Sequence, residues 1–301
     1  MPEKRIVVAG ATGNLGGRIV KALLARKATV VALTRRNTDP AKVEALRKMG
    51  VEIAVAELHQ VNEVAASCAN ASCVVSALLG LRDVLVVGQT GLMNAAIKAG
   101  VPRFIPSDYS LDYRQLHPGE NRNLDLHLEF DGLLSRAPIA ATSILNGAFT
   151  ELLIGPAPLI LFKLGRVLYW KNADQVLDFT TMDDVAAFTA EAALDPTTPR
   201  YLKVVGQRVT ARGLAEIATQ AVGKPFKPTW AGTLGTLTAM IKVMRLVMPA
   251  NDDPFPPWQG MQYTHNMFSG RGVLSPLDND RYPGIRWMQI AEVLSQRPNR
   301  S

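Results

Sequence analysis

Near the start of the chain, Arg5-Ile6-Val7-Val8-Ala9 runs directly into Gly10-Ala11-Thr12-Gly13-Asn14-Leu15-Gly16. Ile6 to Val8 are all β-branched and predict a buried strand. Past the glycines, Leu15, Ile19, Ala22 and Leu23 recur at three- and four-residue spacing, which predicts a helix over Asn14 to Arg26. Glycines between such a strand and such a helix form a dinucleotide fingerprint. Gly10 allows a tight turn, Gly13 lets the backbone approach a pyrophosphate, and Gly16 lets the helix pack on the strand. The helix start offers N–H groups and a positive dipole end to phosphates. Gly10, Thr12, Gly13, Asn14 and Leu15 are therefore the first candidate cofactor residues. A tight turn without a ligand is the competing interpretation, and a glycine triplet in isolation would not decide between them.

Outward from this stretch, strand and helix patterns alternate. Strands are expected over Thr29–Leu33, Val51–Ala56, Ser72–Ala77, Arg103–Pro106 and Ala140–Leu145. Helices are expected over Pro40–Met49, Val61–Ala69, Val84–Ala99 and Leu124–Ser135. Such alternation implies an α/β fold: a doubly wound parallel Rossmann sheet covered on both faces, with a smaller C-terminal mixed α/β substrate domain. The expected division is a cofactor domain over residues 1–153 and a substrate-binding subdomain over 154–301, part of 176–195 rejoining the first. Thr181, with Asp184 three residues on, predicts a helix start, and Thr210 to Val222 predicts a helix closed by Gly223.

Composition narrows the classes. The net charge is +7, and residues 1–50 carry 11 Lys/Arg against three Asp/Glu, a balance of +8 that leaves −1 for the rest. A phosphate-rich cofactor suits that excess. Nucleic acid would use it too, but no nucleic-acid motif accompanies it, so that partner ranks well below the cofactor. No apolar run of about 18 residues predicts a membrane span, and Met1 to Arg5 has no signal-peptide pattern. Cys68 and Cys73 make neither a disulfide framework nor, with any His, a metal-ligand spacing. A cytoplasmic monomer or homodimer, without membrane or metal, is expected.

The end of the second strand separates the two nicotinamide cofactors. NAD enzymes usually place Asp or Glu there, against the ribose 2′-hydroxyl. This chain has Thr34-Arg35-Arg36. Guanidinium groups form charge-assisted bonds to a 2′-phosphate that a carboxylate would repel. The expected cofactor is NADP(H), held in part by Arg35 and Arg36.

Together with Arg103-Phe104-Ile105-Pro106-Ser107-Asp108-Tyr109, these motifs resemble the NmrA-like, isoflavone-reductase-like branch of the atypical short-chain dehydrogenases/reductases. The resemblance runs along essentially the whole chain, with specific motifs up to about Phe149. That family contains NADPH-dependent reductases of plant phenylpropanoids, and also NADP-binding redox sensors or co-regulators without known turnover. The resemblance implies that Ser76, Ala77 and Leu78 border the cofactor and that Gln89 lies near the nicotinamide. It places Pro106, Ser107, Asp108, Asn146 and Phe149 at the carboxyl ends of strands, where open sheets bind ligands.

Proton transfer is where the chain departs from its relatives. No tyrosine has a lysine four residues later, so the Tyr-x-x-x-Lys pair of ordinary short-chain dehydrogenases is missing. The reductase branch uses a lysine on the helix after the fifth strand, and His127 stands at its position. Imidazole titrates near neutrality and is a competent general acid. His127 is the first candidate, Tyr109 and Asp108 the alternatives, and a helix histidine without chemistry the competing interpretation. Phe149, Leu152, Leu153, Phe162, Tyr169, Trp170, Trp258, Met261, Met267 and Phe268 are the candidate wall for a small apolar substrate, although aromatics at such spacings are more often core than pocket. The leading expectation is an NADPH-dependent reductase of a carbonyl, ether or activated alkene. The alternative is a non-catalytic NADP(H)-binding sensor or regulator.

Overall fold

The computed structural model describes residues 4–155, 159–249 and 252–297. Six parallel strands form the main sheet, in the order β3-β2-β1-β4-β5-β6. They are β1 (Arg5–Ala9), β2 (Thr29–Thr34), β3 (Glu52–Val55), β4 (Cys73–Ser76), β5 (Arg103–Ile105) and β6 (Ala140–Ala141). Helices α1 (Asn14–Ala25), α2 (Pro40–Lys48), α3 (Val61–Ser67), α4 (Gln89–Lys98) and α5 (Arg122–Leu134) lie between and after them in sequence. This order is the doubly wound Rossmann arrangement expected from the sequence. The inner strands are apolar throughout because both faces are covered. On one face Val7, Val31, Val74 and Phe104 join a core with Val64, Leu92 and Phe130, and the Phe104 and Phe130 rings lie 6.3 Å apart.

Two compact units interleave along the chain. The first takes the described residues up to Tyr109, then Leu126–Ile144 and Val185–Leu202. The second takes Ser110–Asp125, Leu145–Asp184 and the described residues from Lys203 onward. The sequence suggests a division after residue 153 with part of 176–195 rejoining the first unit; in the structure Val185–Leu202 belongs to the first unit, while Ser110–Asp125 and the residues from Leu145 to Asp184 fold with the second. Helix α6 (Met182–Leu194) starts as expected, with Thr181 Oγ1 accepting the Asp184 N–H at 3.1 Å. Its C-terminal half belongs to the first unit, where Arg26 pairs with Glu191 at 2.8 Å and Lys4 donates to the Leu194 carbonyl.

Two elements differ from the sequence expectation. The strand over 140–145 breaks at Thr142, whose hydroxyl engages Thr198 and the Pro199 carbonyl at 2.7 and 2.9 Å. The ladder changes partner there, and β7 (Ser143–Leu145) pairs with β12 (Tyr201–Lys203) in a separate two-stranded sheet. The helix over 84–99 is a π-helical turn, Asp83–Gly88, followed by α4. A π turn displaces backbone donors from the usual carbonyls, and the Gln89 and Thr90 side chains donate to Leu85 O and Val86 O instead.

In the second unit, β8 (Ala148–Phe149), β11 (Leu177–Thr180) and β13 (Gln207–Val209) form one small sheet, and β9 (Ile160–Leu161), β10 (Arg166–Trp170) and β14 (Lys227–Gly232) another. Helix α7 (Ala211–Val222) is closed by Gly223 in the left-handed region, as expected, and Thr210 caps it rather than forming its first turn. Helices α8 (Leu234–Val247) and α9 (Pro257–Ser269) follow. Among the described residues no helix is long and apolar enough to cross a membrane.

Arg103 is the buried charge that ties β5 to the end of α6. It donates to the Ala192 carbonyl at 2.8 Å and also to the Asp195 carbonyl and Thr198. A cation at a helix C-terminus satisfies carbonyls that have no partner within the helix. At about 1.5–3 kcal/mol per hydrogen bond to a charged group, Arg103→Met is expected to lower the unfolding free energy by about 2–4 kcal/mol. Urea denaturation checks this, with exposed Arg47→Met expected to stay within about 0.5 kcal/mol of the parent.

Candidate functional site

The fingerprint closes on itself through backbone. Gly10 has φ +83°, and the Gly13 N–H donates to the Gly10 carbonyl at 2.9 Å. A Cβ at Gly10 would lie 2.4 Å from Ala77 O, and one at Gly16 would lie 2.1 Å from Gly10 O. Neither position accepts a side chain, because the obstacle is main chain. Gly13 differs: its φ is −81° and a Cβ there would meet only Gly10 O, at 3.2 Å. Gly13 caps α1 with no side-chain bond, and no acidic residue occupies the first turn. Thr12, Gly13, Asn14 and Leu15 are exposed or half-buried. Backbone N–H groups with a positive dipole end and no competing carboxylate fit a pyrophosphate.

Arg35 and Arg36 follow β2 and are exposed, but their surroundings differ. Arg36 pairs with Glu63 at 3.1 Å, and its N–H donates to Glu57 Oε1. The Arg35 N–H donates to Thr38 Oγ1 at 3.0 Å. Neither glutamate was legible as part of this site, since both come from β3 and α3 neighbours distant in sequence. An exposed ion pair is worth at most about 1 kcal/mol, so a phosphate can take Arg36 from Glu63 at small cost.

At the carboxyl ends of β4 and β5 the chain is braced from within. Ser76 is fully buried, and its Oγ has no hydrogen-bond partner among the described residues. The Ala77 N–H donates to Ala9 O, and Leu78 O accepts the Ser107 hydroxyl at 2.8 Å. Gln89, expected beside the nicotinamide, spends both ends of its amide on the protein: Oε1 accepts the Ser107 N–H at 2.8 Å while Nε2 donates to Leu85 O at 3.0 Å. It is a latch for the loop after β5. Pro106 is buried beside it. In the second unit, Asn146 is buried with its N–H on Ser110 O and its Oδ1 without a partner among the described residues, and Phe149 is half-buried in β8.

The two proton candidates are in very different surroundings. The Tyr109 hydroxyl is enclosed near Thr189, and burial raises its pKa well above the ordinary tyrosine value. An enclosed phenol that resists ionisation is a poor proton shuttle. The His127 side chain is 11% exposed, and its Nδ1 lies 3.2 Å from Oδ1 of the fully buried Asp108. The Asp108 Oδ2 accepts the Ser143 hydroxyl at 2.7 Å. The structure thus brings Asp108 and His127 together, 19 residues apart. Cys68 and Cys73 are buried thiols pushed up to about 11 and about 12, which removes them from nucleophilic chemistry.

Half of the expected substrate wall is interior. Trp170 packs on Phe268 with centroids 5.7 Å apart, Phe162 packs on Phe226 at 5.9 Å, and Trp258 is covered by the guanidinium groups of Arg122 and Arg245. Leu153 and Met267 are buried as well. These side chains build the second unit's core. Phe149, Leu152, Tyr169 and Met261 keep exposed surface.

Sheet order and glycine turn together define a Rossmann-type dinucleotide-binding fold. Residues 2–244 match the NmrA-like family, and the chain belongs to that family. It is 26% identical over 249 residues to pinoresinol reductase 2 of Arabidopsis thaliana, covering 76% of this chain and 77% of that protein. The solved structure of AtPrR2 with NADP+ and (+)pinoresinol superposes with a TM-score of 0.82 at 22% identity, covering 98% of this chain and 99% of the other. The NADPH complex of the quinone oxidoreductase QOR2 from Escherichia coli gives a TM-score of 0.75 at 19% identity, covering 96% and 98%. At these identities the structural likeness concerns the fold.

Two measurements test the cofactor residues. Calorimetry is expected to show NADPH binding more tightly than NADH, with Arg35→Ala costing about 1.5–3 kcal/mol in NADPH affinity and Arg36→Ala less, because Glu63 competes for it. Equal affinity of the parent for both cofactors would overturn the assignment. Separately, Gly13→Val is expected to abolish NADPH binding with an almost unchanged melting temperature, whereas Gly16→Ala destabilises the fold itself. Normal NADPH binding by Gly13→Val would mean that the pyrophosphate lies elsewhere.

Proposed function

We propose that this chain is an NADPH-dependent reductase of a small, largely apolar or aromatic substrate carrying a carbonyl, ether or activated alkene, with His127 supplying the proton. The observation that carries this is the His127–Asp108 pair, at the carboxyl end of β5 in the unit that holds the fingerprint. The relatives that share most of this chain's length include two pinoresinol reductases. NADPH, when bound, would deliver a hydride. The chain's own task is to hold the dinucleotide by the α1 N-terminus and Arg35, and to give a proton to the atom that gains electron density. The imidazole, held at Nδ1 by the Asp108 carboxylate, meets that second need without the lysine of the reductase branch.

NADPH oxidation against aromatic aldehydes, quinones and enones tests the proposal. Turnover is expected with at least one class. His127→Phe is then expected to lower kcat by about a hundredfold or more, with NADPH affinity nearly unchanged. An intact kcat in that variant would place the acid elsewhere. No turnover across the panel, with NADPH still bound at micromolar affinity, would replace the reductase by a regulatory NADP(H)-binding protein.

A further inference from the structure

Behind His127 a chain of polar side chains runs through the first unit, and its direction can be worked out from one end. Arg200 is donor-only, because a guanidinium has no acceptor. Its Nη1 lies 2.7 Å from Ser143 Oγ. Ser143 Oγ therefore accepts there, and its own hydrogen goes to Asp108 Oδ2 at 2.7 Å. The carboxylate of Asp108 only accepts, and its Oδ1 faces His127 Nδ1 at 3.2 Å. Nδ1 must then carry hydrogen in the neutral ring, and Nε2 is the nitrogen that takes up or releases the second proton.

The other end of the chain closes on the same helix. Arg200 Nη2 lies 2.5 Å from Asp131 Oδ1, which also accepts the Tyr201 hydroxyl at 2.9 Å. His127 and Asp131 are four residues apart on α5, one above the other on a single helix face. The helix thus carries both the imidazole and the carboxylate that anchors the orienting arginine. The guanidinium is further held over the Tyr201 ring, 4.5 Å from its centroid.

We propose that Asp108 is a positioning residue for His127, its carboxylate fixing the imidazole as the Nδ1–H tautomer with Nε2 as its exchanging nitrogen, and that Arg200, through Ser143, decides which way the chain would run once that carboxylate became an amide. The role of Nε2 in turnover rests on the reductase proposal; the tautomer does not. A second consequence follows for Asp108→Asn. Ser143, still directed by Arg200, would donate to the new amide oxygen. The amide N–H would then face Nδ1 and force it to accept, inverting the tautomer.

Long-range nitrogen–proton correlation spectra of the 15N-labelled full chain test this without any substrate. The four histidines are distinguishable, because His127→Phe identifies its own signals by their loss. With the ring neutral, the parent is expected to show a protonated Nδ1 and a bare Nε2. Asp108→Asn is expected to show the reverse, and Ser143→Ala to keep the parental tautomer because the carboxylate remains. A bare Nδ1 in the parent, or in Ser143→Ala, overturns the proposal even if Asp108→Asn fails to fold. So does a folded Asp108→Asn that retains Nδ1–H. Where a substrate is turned over, Asp108→Asn is expected to lose at least about a hundredfold in kcat with NADPH affinity unchanged. The expected tautomers without any turnover would support this inference while overturning the reductase.

Discussion

The first unit depends on one close approach of backbone to backbone. Helix α1 meets its own strand at Gly16, so near the Gly10 carbonyl that a single added carbon would lie 2.1 Å from it. Gly10 is held in turn against the end of β4. These contacts set the angle at which α1 leaves the sheet, and hence where its N–H groups point. The bare helix start is thus a by-product of packing: the geometry that lets the helix seat on the sheet is also the one that bares its first turn. Gly13, in ordinary backbone geometry and open to solvent, is the glycine of the turn that packing does not demand.

A second constraint acts at the other side of the sheet's carboxyl edge. Asp108 is fully buried, and a buried carboxylate must be compensated by hydrogen bonds or counter-charge. Ser143 and His127 supply the hydrogen bonds, and Arg200 supplies charge one residue further on. Gln89 holds the neighbouring Ser107 in place by its backbone N–H. The loop after β5 is therefore fixed from three elements, Ser143 and His127 donating to Asp108 and the Gln89 amide oxygen accepting from Ser107. Removing one partner would leave the remaining groups buried and unsatisfied, which costs more than the lost bond itself. Such a loop is a rigid support for an imidazole. Tyr109, the next residue, is turned inward and does not share that position.

The second unit shows a different use of aromatic side chains. Trp170, Phe268, Phe162 and Phe226 pack in pairs, and Trp258 sits beneath two arginines. Large rings bury more area per residue than aliphatic side chains, which suits a unit built on short three-stranded sheets. Its polar interior is also dense: Asn121 bonds Asn266 at 2.9 Å and Gln259 at 2.7 Å, tying the segment before α5 to α9. Of the six rings that the sequence offers as a ligand wall, Trp170, Trp258 and Phe268 belong to the core.

The sequence by itself determined the strand–helix alternation, the glycine turn and the bare start of α1. All three are written in local patterns: β-branched runs, three- and four-residue apolar spacing, and residues without a Cβ. It also placed Arg35 and Arg36 at the end of β2, because strand ends are local too. Tertiary structure alone decided which side chains meet. Asp108 reaches His127 across 19 residues, and Ser143 reaches Arg200 across 57, at spacings that no period of helix or strand encodes. The same holds for Glu63 against Arg36, for Gln89 as a latch, and for the change of partner at Thr142. Local geometry is a property of neighbours in the chain, whereas burial and hydrogen bonding are properties of neighbours in space. The latter exist only once the sheet has brought the carboxyl ends of its strands together.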